Sequence, residues 1–214
     1  MTALRILPVL AATLMLAACG GTPVDAPLNE AQAQALGRAP DPTTVMTERW
    51  SKVFTDTALV VKAANDMGYE AKPPVATNGT PAYRITGNTQ VLPNSKSPVT
   101  VTTRFTATGP AANAIDTIQF AFSINDITND ETKATRDALK IPKRIVNGFL
   151  GRFQVGSGDE TITALRLYQA SRVKKYVATI TVTPVPEADP KARTVIVTIT
   201  KAGAPAPAAS SFKP

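Results

Sequence analysis

The sequence of 214 residues is 43% hydrophobic and 18% charged, which is typical of a chain that folds around a core of modest size. It has a formal net charge of +7, one cysteine and no histidine. An intramolecular disulfide, a zinc site built on Cys or His, and a Ser-His-Asp or Cys-His relay are therefore excluded. The sequence has no recognition-helix pattern and no aromatic RNA-binding strand pair, so we expect no nucleic-acid partner despite the basic charge.

The N-terminal segment has the pattern of an export signal. Arg5 is followed by an apolar run over residues 6–16, and two alanines then precede Cys19. The run is shorter than the roughly 20 residues that a membrane-spanning helix needs, and small residues surround the expected cleavage point. We therefore predict a signal peptide over 1–18.

The sequence Leu16-Ala17-Ala18-Cys19, followed by Gly20, resembles the lipobox of bacterial lipoproteins. The resemblance implies that Cys19 Sγ receives a diacylglyceryl group, that cleavage occurs before it, and that the new amino terminus is acylated. Several acyl chains hold a protein firmly on a bilayer. The absence of Asp after the cysteine implies the outer membrane, with the domain facing the periplasm. The alternative is a secreted protein with an unpaired thiol.

The mature chain divides into three predicted parts. Residues 19–43 are rich in Ala, Pro, Gly, Asp and Gln, which indicates a lipidated cysteine followed by a flexible linker. Residues 44–201 contain the periodic apolar patterns of a single domain. Residues 202–214 are rich in Ala, Pro and Ser, so we expect a disordered tail.

The domain begins with an amphipathic pattern from about Thr44 to Met67, in which apolar residues recur every three or four positions before Gly68. This spacing predicts one helix with a glycine at its C-terminal end. Trp50 belongs to the apolar stripe and is expected in the core. A short strand is predicted over Tyr83–Gly87.

Two longer strands are predicted from strict alternation. Over Pro98–Ala107, Val99, Val101, Thr103 and Phe105 share one side, and Ile118, Phe120, Phe122 and Ile124 alternate in the same way. The turn signal between the two segments, Gly109-Pro110, indicates that they form a hairpin with one core face and one wetter face.

The second half begins with helical patterns. Thr128–Glu131 fits a capping box, and Pro142 predicts a kink or break before a second helical piece that ends near Phe153. Ser157–Glu160 fits another capping box that opens a helix through Tyr168. Lys174–Thr183 and Arg193–Thr200 then alternate as an antiparallel pair of strands.

This order predicts an α+β domain with one antiparallel sheet of about five strands, an N-terminal helix, and two to three further helices packed on one face.

The candidate contacts for an anion or lipid are basic residues near the kinked helix and a late strand: Lys140, Lys143, Arg144, Arg152, Lys174 and Lys175, with Arg172 beside them. Such a cluster is able to hold phosphates. The plainer interpretation, which we favour, is a solvated helix face and a strand edge on which lysine discourages aggregation.

Acidic residues and one serine are further candidate sites. The acidic residues are Asp126, Asp130, Glu131, Asp137, Asp159 and Glu160. Several of them fall in predicted first helical turns, where negative charge stabilises a helix, so we expect no metal site and no cofactor. Ser157 lies between two glycines, but the nucleophile-elbow spacing is missing. We expect no catalytic residue.

Three functions remain open. The first is a non-enzymatic envelope lipoprotein that binds an envelope protein or anionic lipid, or that assists an assembly in the periplasm. The alternative is a lipid- or amphiphile-binding module with a cavity ringed by Lys143, Arg144 or Lys175. The third is an enzyme that uses carboxylates or lysine alone.

Overall fold

The computed structural model of the chain describes residues 27–93, 99–127 and 133–205, which form helices and one antiparallel sheet. The helices are α1 (Glu30–Leu36), α2 (Pro42–Thr55), α3 (Thr57–Asp66), α4 (Lys133–Leu139), α5 (Ile141–Gly151) and α6 (Asp159–Leu167). The strands are β1 (Val75–Ala76), β2 (Tyr83–Thr86), β3 (Gln90–Pro93), β4 (Thr100–Gly109), β5 (Thr117–Asn125), β6 (Ser171–Lys175), β7 (Ala178–Val185) and β8 (Arg193–Lys201). The predicted α+β class is confirmed. The signal peptide, Cys19 and the capping box Thr128–Glu131 lie outside the described residues.

The sheet has eight strands in the order β1-β2-β4-β5-β8-β7-β6, and β3 pairs with β4 beside β2. The predicted hairpin is formed by β4 and β5, with Phe105 opposite Phe120. β2 pairs with residues 106–109 of β4, and β3 pairs with residues 100–103. The two short strands therefore share one edge of β4, end to end.

The prediction of about five strands was too small. β1 and β3 are short and were not predicted. The single strand predicted over Lys174–Thr183 is a hairpin of β6 and β7, in which Lys175 pairs with Ala178 across a two-residue turn. Tyr176 adopts a φ of 54° in this turn, a conformation usually taken by Gly or Asn. The absence of those residues is why the turn was missed.

Helices α2, α3, α5 and α6 contribute to a core on one face of the sheet. Successive strand residues point to opposite faces, so one set of alternate positions meets the helices. Sheet residues of the core cluster include Ile85, Phe105, Phe120, Phe122, Ile180, Val182, Val195, Val197 and Ile199. Helix residues of the same cluster include Trp50, Val53, Phe54, Val60, Val146, Phe149 and Leu165. Trp50 is 1% exposed, which confirms its predicted place in the core.

The long first helix that was predicted is two helices. Asp56 leaves the helical region of φ and ψ, and its side chain accepts a hydrogen bond from the backbone N–H of Leu59 at 2.9 Å. Asp56 therefore ends α2 and caps α3. The apolar spacing continues across the break, which is why a single helix was predicted.

Part of the segment predicted to be linker is helical. α1 has a capping box in which Asn29 and Gln32 exchange hydrogen bonds, and Ala33 is 1% exposed. An ion pair of 2.5 Å between Arg49 and Glu30 ties α1 to α2. The folded domain therefore begins closer to Cys19 than composition indicated.

The later helices confirm one prediction and correct another. Lys140 separates α4 from α5, and Pro142 occupies the first turn of α5, so the predicted interruption is a break. α6 begins at Asp159 after Gly158, whose φ is 85°, and no side chain caps it. Ser157 instead donates a hydrogen bond to Asn147 Oδ1 at 2.6 Å, so the capping box predicted at Ser157 was wrong.

Candidate functional site

The basic residues predicted on α5 lie at its two ends. Lys140 precedes the helix and pairs with Asp137 at 3.3 Å, and Lys143 and Arg144 are exposed in the first turns. Arg152 follows the helix and pairs with Asp66 of α3 at 3.0 Å. Lys140 and Arg152 are twelve residues apart, which corresponds to about 18 Å along a helix.

The two predicted lysines of β6 lie on opposite faces of the sheet. Lys174 pairs with Thr179 on the face opposite the core cluster, and Lys175 pairs with Ala178 on the core side. A Cβ placed on Gly158 would lie 2.7 Å from Lys175 Nζ, so this lysine reaches the start of α6. The structure therefore does not bring the six predicted basic residues onto one surface.

Most of the acidic candidates that the structure describes stabilise a helix or form an ion pair with a nearby residue. Asp159 and Glu160 occupy the first turn of α6, where they stabilise the helix dipole. Asp137 holds Lys140. Asp126 is exposed with a φ of 60°. Within the described ranges, no group of three or more acidic or cysteine side chains lies together as metal ligands would.

A cleft of about 310 Å³ lies at the end of the sheet, between the C-terminal end of α6 and the loop from β7 to β8. Its lining residues include Leu167, Tyr168, Val185, Glu187, Asp189 and Arg193. Arg193 donates hydrogen bonds to the carbonyl oxygens of Pro190 and Ala192, which fold the loop back on itself.

Tyr168 lines this cleft and has a buried polar group. Its hydroxyl is buried without a hydrogen-bond partner among the described residues. Burial raises the pKa of Tyr168 above its usual value, although the positive charge of Arg193 acts in the opposite direction. The hydroxyl is enclosed by protein, so a molecule in the cleft would have to displace the ring to reach it.

The face of the sheet opposite the core cluster presents two rows in which most side chains carry a hydroxyl. The first row crosses the sheet from β2 to β6, and strand register places these residues side by side in it: Arg84, Thr108, Thr117, Thr200, Thr179 and Lys174. The second row is Thr86, Thr106, Gln119, Thr198, Thr181 and Arg172. We call these two rows the threonine face. A hydrogen bond of 3.4 Å from Gln119 Nε2 to Thr198 Oγ1 links neighbouring side chains in the second row.

Accessibility varies along the threonine face, and part of the face is buried on the central strands β5 and β8. Arg84, Arg172 and Lys174 are exposed at the two ends of the rows. Thr117 and Thr198, in the central strands, are each only 7% exposed. The half-exposed hydroxyls are those of Thr106, Thr108, Thr179, Thr181 and Thr200.

The charge of the threonine face has one sign. Its charged residues are Arg84, Arg172 and Lys174, and Arg104 lies on the same face of β4. No acidic residue occupies a position of this face on the described strands. None of the ion pairs within the described ranges involves Arg84, Arg172 or Lys174. Cations without neighbouring acids create a positive potential that attracts anions.

The arrangement is suited to binding a long anionic molecule. Arg84 and Lys174 are separated by five interstrand spacings in the sheet order, which corresponds to about 24 Å at about 4.8 Å per spacing. Hydroxyl groups between them both donate and accept hydrogen bonds.

Sequence reasoning missed this surface because it depends on strand order. Alternation did place Thr100, Thr102 and Thr106 on the wetter side of β4, and the register confirms it. The positions of Arg84 and Arg172 required two facts that alternation does not give. One is that β2 pairs with β4, and the other is that β6 is a separate strand beside β7.

Comparison with protein-family models, with curated proteins and with solved structures found no match to this chain. Among the described residues, no helix has the length and apolar character needed to cross a bilayer.

Proposed function

We propose that this chain is a membrane-anchored bacterial envelope lipoprotein, with a non-enzymatic binding or assembly-accessory domain that acts in the periplasm. The main support for this proposal is the sequence Leu16-Ala17-Ala18-Cys19, in which the chain's only cysteine directly follows a signal-like apolar run. An incidental free cysteine is rare in exported proteins, so its position at the expected cleavage point favours acylation.

The start of the folded domain is consistent with a short tether. Ten residues lead from Cys19 to Asn29, the N-cap of α1, and ten residues span at most about 33 Å. A domain on such a tether stays close to the bilayer that holds Cys19. We propose the outer membrane, because Gly20 follows the cysteine.

The threonine face supports a binding role for the domain. On the described strands, Arg84, Arg172 and Lys174 have no acidic residue beside them, so their charge is available to an anionic partner. A broad face of hydroxyls and cations is adapted to holding a partner.

The test compares the wild-type chain with Cys19→Ala in a bacterial host. We expect the wild type to carry the mass of a diacylglyceryl group and to fractionate with the outer membrane. The variant should lack that mass and leave the membrane fraction or retain an uncleaved signal. An unmodified wild-type chain in the soluble fraction would exclude the anchor.

A lipid- or amphiphile-binding module is the second candidate. The observation that favours it is the cleft of about 310 Å³, which combines apolar residues such as Leu167 and Val185 with the cation Arg193. This volume is at the lower end of the range of small-molecule sites. Lys143, Arg144 and Lys175 are not among its lining residues. Native mass spectrometry of the purified chain would reveal a co-purifying lipid, and its absence would count against this function.

A further inference from the structure

We propose that the threonine face binds an anionic polysaccharide of the cell wall, lying across the strands from Arg84 to Arg172 and Lys174. The proposal rests on the proposed function for its location, because a periplasmic domain meets this class of polymer. The binding surface itself is defined by the sheet alone.

Charge complementarity identifies the partner as an anion. Arg84 lies at one end of the rows, and Arg172 and Lys174 lie at the other. Lysine or arginine on an edge strand has a simpler explanation, because it prevents pairing with another sheet. That explanation applies to β6, which is an edge strand. It does not apply to Arg84, which is paired on both sides, with Val75 of β1 and Thr108 of β4.

The separation of the cations identifies the anion as a polymer. A molecule that contacts both ends of the face must span about 24 Å, the distance across five interstrand spacings. A single sugar or a single lipid headgroup is too small to do so. A linear chain that crosses the strands contacts both ends and passes over the hydroxyls between them.

The hydroxyls favour a polysaccharide over other polyanions. Thr108, Thr179 and Thr200 are half-exposed in one row and supply donors and acceptors for sugar hydroxyls. Their methyl groups supply apolar contact for ring faces. The two rows hold no aromatic residue, leucine or methionine, which anchor peripheral proteins in bilayers and dominate protein interfaces.

The test uses the full chain carrying Cys19→Ala in a mild non-ionic detergent, so that acylation does not affect the result. Binding is measured by co-sedimentation with purified cell-wall sacculi and by titration with soluble polygalacturonate. We expect both to bind, and we expect galacturonate monomer and neutral dextran to compete poorly. Binding should weaken with added salt, because it involves exposed charges.

A matched pair of triple variants locates the surface. Arg84→Gln, Arg172→Gln and Lys174→Gln together should weaken polygalacturonate binding about tenfold or more, if each exposed pair contributes an ordinary amount. The control removes the same charge from the helix side through Lys133→Gln, Lys143→Gln and Arg144→Gln. These side chains are all exposed, and their loss should change binding by less than about twofold. Equal weakening by the two triples would overturn the proposal.

A second pair of substitutions tests the hydroxyls while leaving every charge in place. Thr108→Val and Thr179→Val keep the side-chain shape and suit a strand, so the fold is preserved. They should weaken polysaccharide binding several-fold and leave the adsorption to vesicles of phosphatidylglycerol and phosphatidylcholine unchanged.

Three results would overturn the assignment. The first is no binding to sacculi, which would exclude the cell wall even if polygalacturonate bound. The second is stronger binding to the anionic vesicles than to either polymer, which would identify a lipid surface. The third is wild-type affinity in the valine variant, which would indicate plain electrostatic attraction. None of these results bears on whether Cys19 is acylated, so the proposed function is tested separately.

Discussion

The two faces of the sheet are built from the same strands, yet they differ in side-chain chemistry and charge. The helix-covered face presents Phe105, Phe120 and Phe122, each fully buried. The opposite face presents threonines and cations in its two rows, whereas Ala121, Ser123, Thr194 and Ile196 of the same face are buried. Because alternate residues point in opposite directions, each strand divides its side chains between the core and the opposite face. If the threonine face binds a partner as proposed, stability and binding depend on different residues, and substitutions should separate them.

An aromatic cluster is the densest part of the helix-covered face. Phe120 is at its centre, with its ring centroid 5.3 Å from Phe105, 5.2 Å from Phe149 and 6.1 Å from Tyr69. These distances are typical of favourable aromatic pairs. Phe149 belongs to α5, so the cluster fixes that helix on the sheet.

The largest effect is expected from truncation in this cluster. Phe120→Ala should lower the free energy of unfolding by about 3–5 kcal/mol, the usual cost of a cavity left by a buried phenylalanine. Gln119→Ala is the matched control, one residue away on the threonine face, and should cost less than about 1 kcal/mol. Urea denaturation of both variants measures the difference. Similar losses would contradict the division of roles between the faces.

Alkaline pH should destabilise the domain through the buried Tyr69. Burial raises the pKa of Tyr69 above its ordinary value of 10.0, and the hydrogen bond with Thr103 only partly opposes this. The unfolded chain therefore loses this proton near pH 10 while the folded chain retains it. Below pH 10, Tyr69 therefore makes its full contribution to the free energy of unfolding. Above it, this contribution falls by up to about 1.4 kcal/mol per pH unit.

The measurement is the free energy of unfolding at a series of pH values from neutral to strongly alkaline. The double variant Tyr69→Phe, Thr103→Val provides the reference, since it has no phenol at this position. Its alkaline decline should be shallower than that of the wild type. Identical declines would show that Tyr69 does not contribute to the pH dependence.

A buried polar pair within the helix-covered face should give the next largest effect. The hydroxyls of Tyr69 and Thr103 hydrogen bond to each other, and both residues are 0% exposed. Tyr69→Phe alone leaves the Thr103 hydroxyl unpaired and should cost about 1–3 kcal/mol. Adding Thr103→Val should recover part of that loss. If the two single losses simply add in the double variant, the hydrogen bond makes no net contribution.

The sequence predicted the central fold better than its edges. The long alternation of β4, β5 and β8 is unambiguous, because each strand has one continuous apolar side. The turn at Tyr176 was missed because it lacks the glycine or asparagine that usually marks such a turn. The break at Asp56 was missed because the apolar period crosses it, although Asp56 before Thr57 has the character of an N-cap.

The threonine face was harder to predict from the sequence than the fold. Sequence reasoning grouped Lys174 and Lys175 because they are adjacent in the chain, yet the pleat of a strand separates them. It did not predict that Arg84 and Arg172 lie on the same face, because that follows only from the pairing of the six strands from β2 to β6. Local periodicity identifies which side of a strand is wet, whereas the composition of a whole face depends on long-range topology.

The smallest effect is expected from the threonine face itself. Thr106→Val and Thr181→Val replace half-exposed threonines with a residue of similar shape and strong β-propensity. Each should change the free energy of unfolding by no more than about 0.5 kcal/mol. Thr103→Val, the same replacement on the opposite face of β4, should cost about 1–3 kcal/mol because Tyr69 loses its partner.

Urea denaturation of the three single variants measures this difference directly. A loss above about 1 kcal/mol at Thr106 or Thr181 would exceed the usual range for surface positions, and it would mean that these hydroxyls hold the sheet together. If the losses are small, stability does not explain the threonine rows. Because valine suits a strand as well as threonine does, the hydroxyls would then require an explanation outside folding, such as contact with a partner.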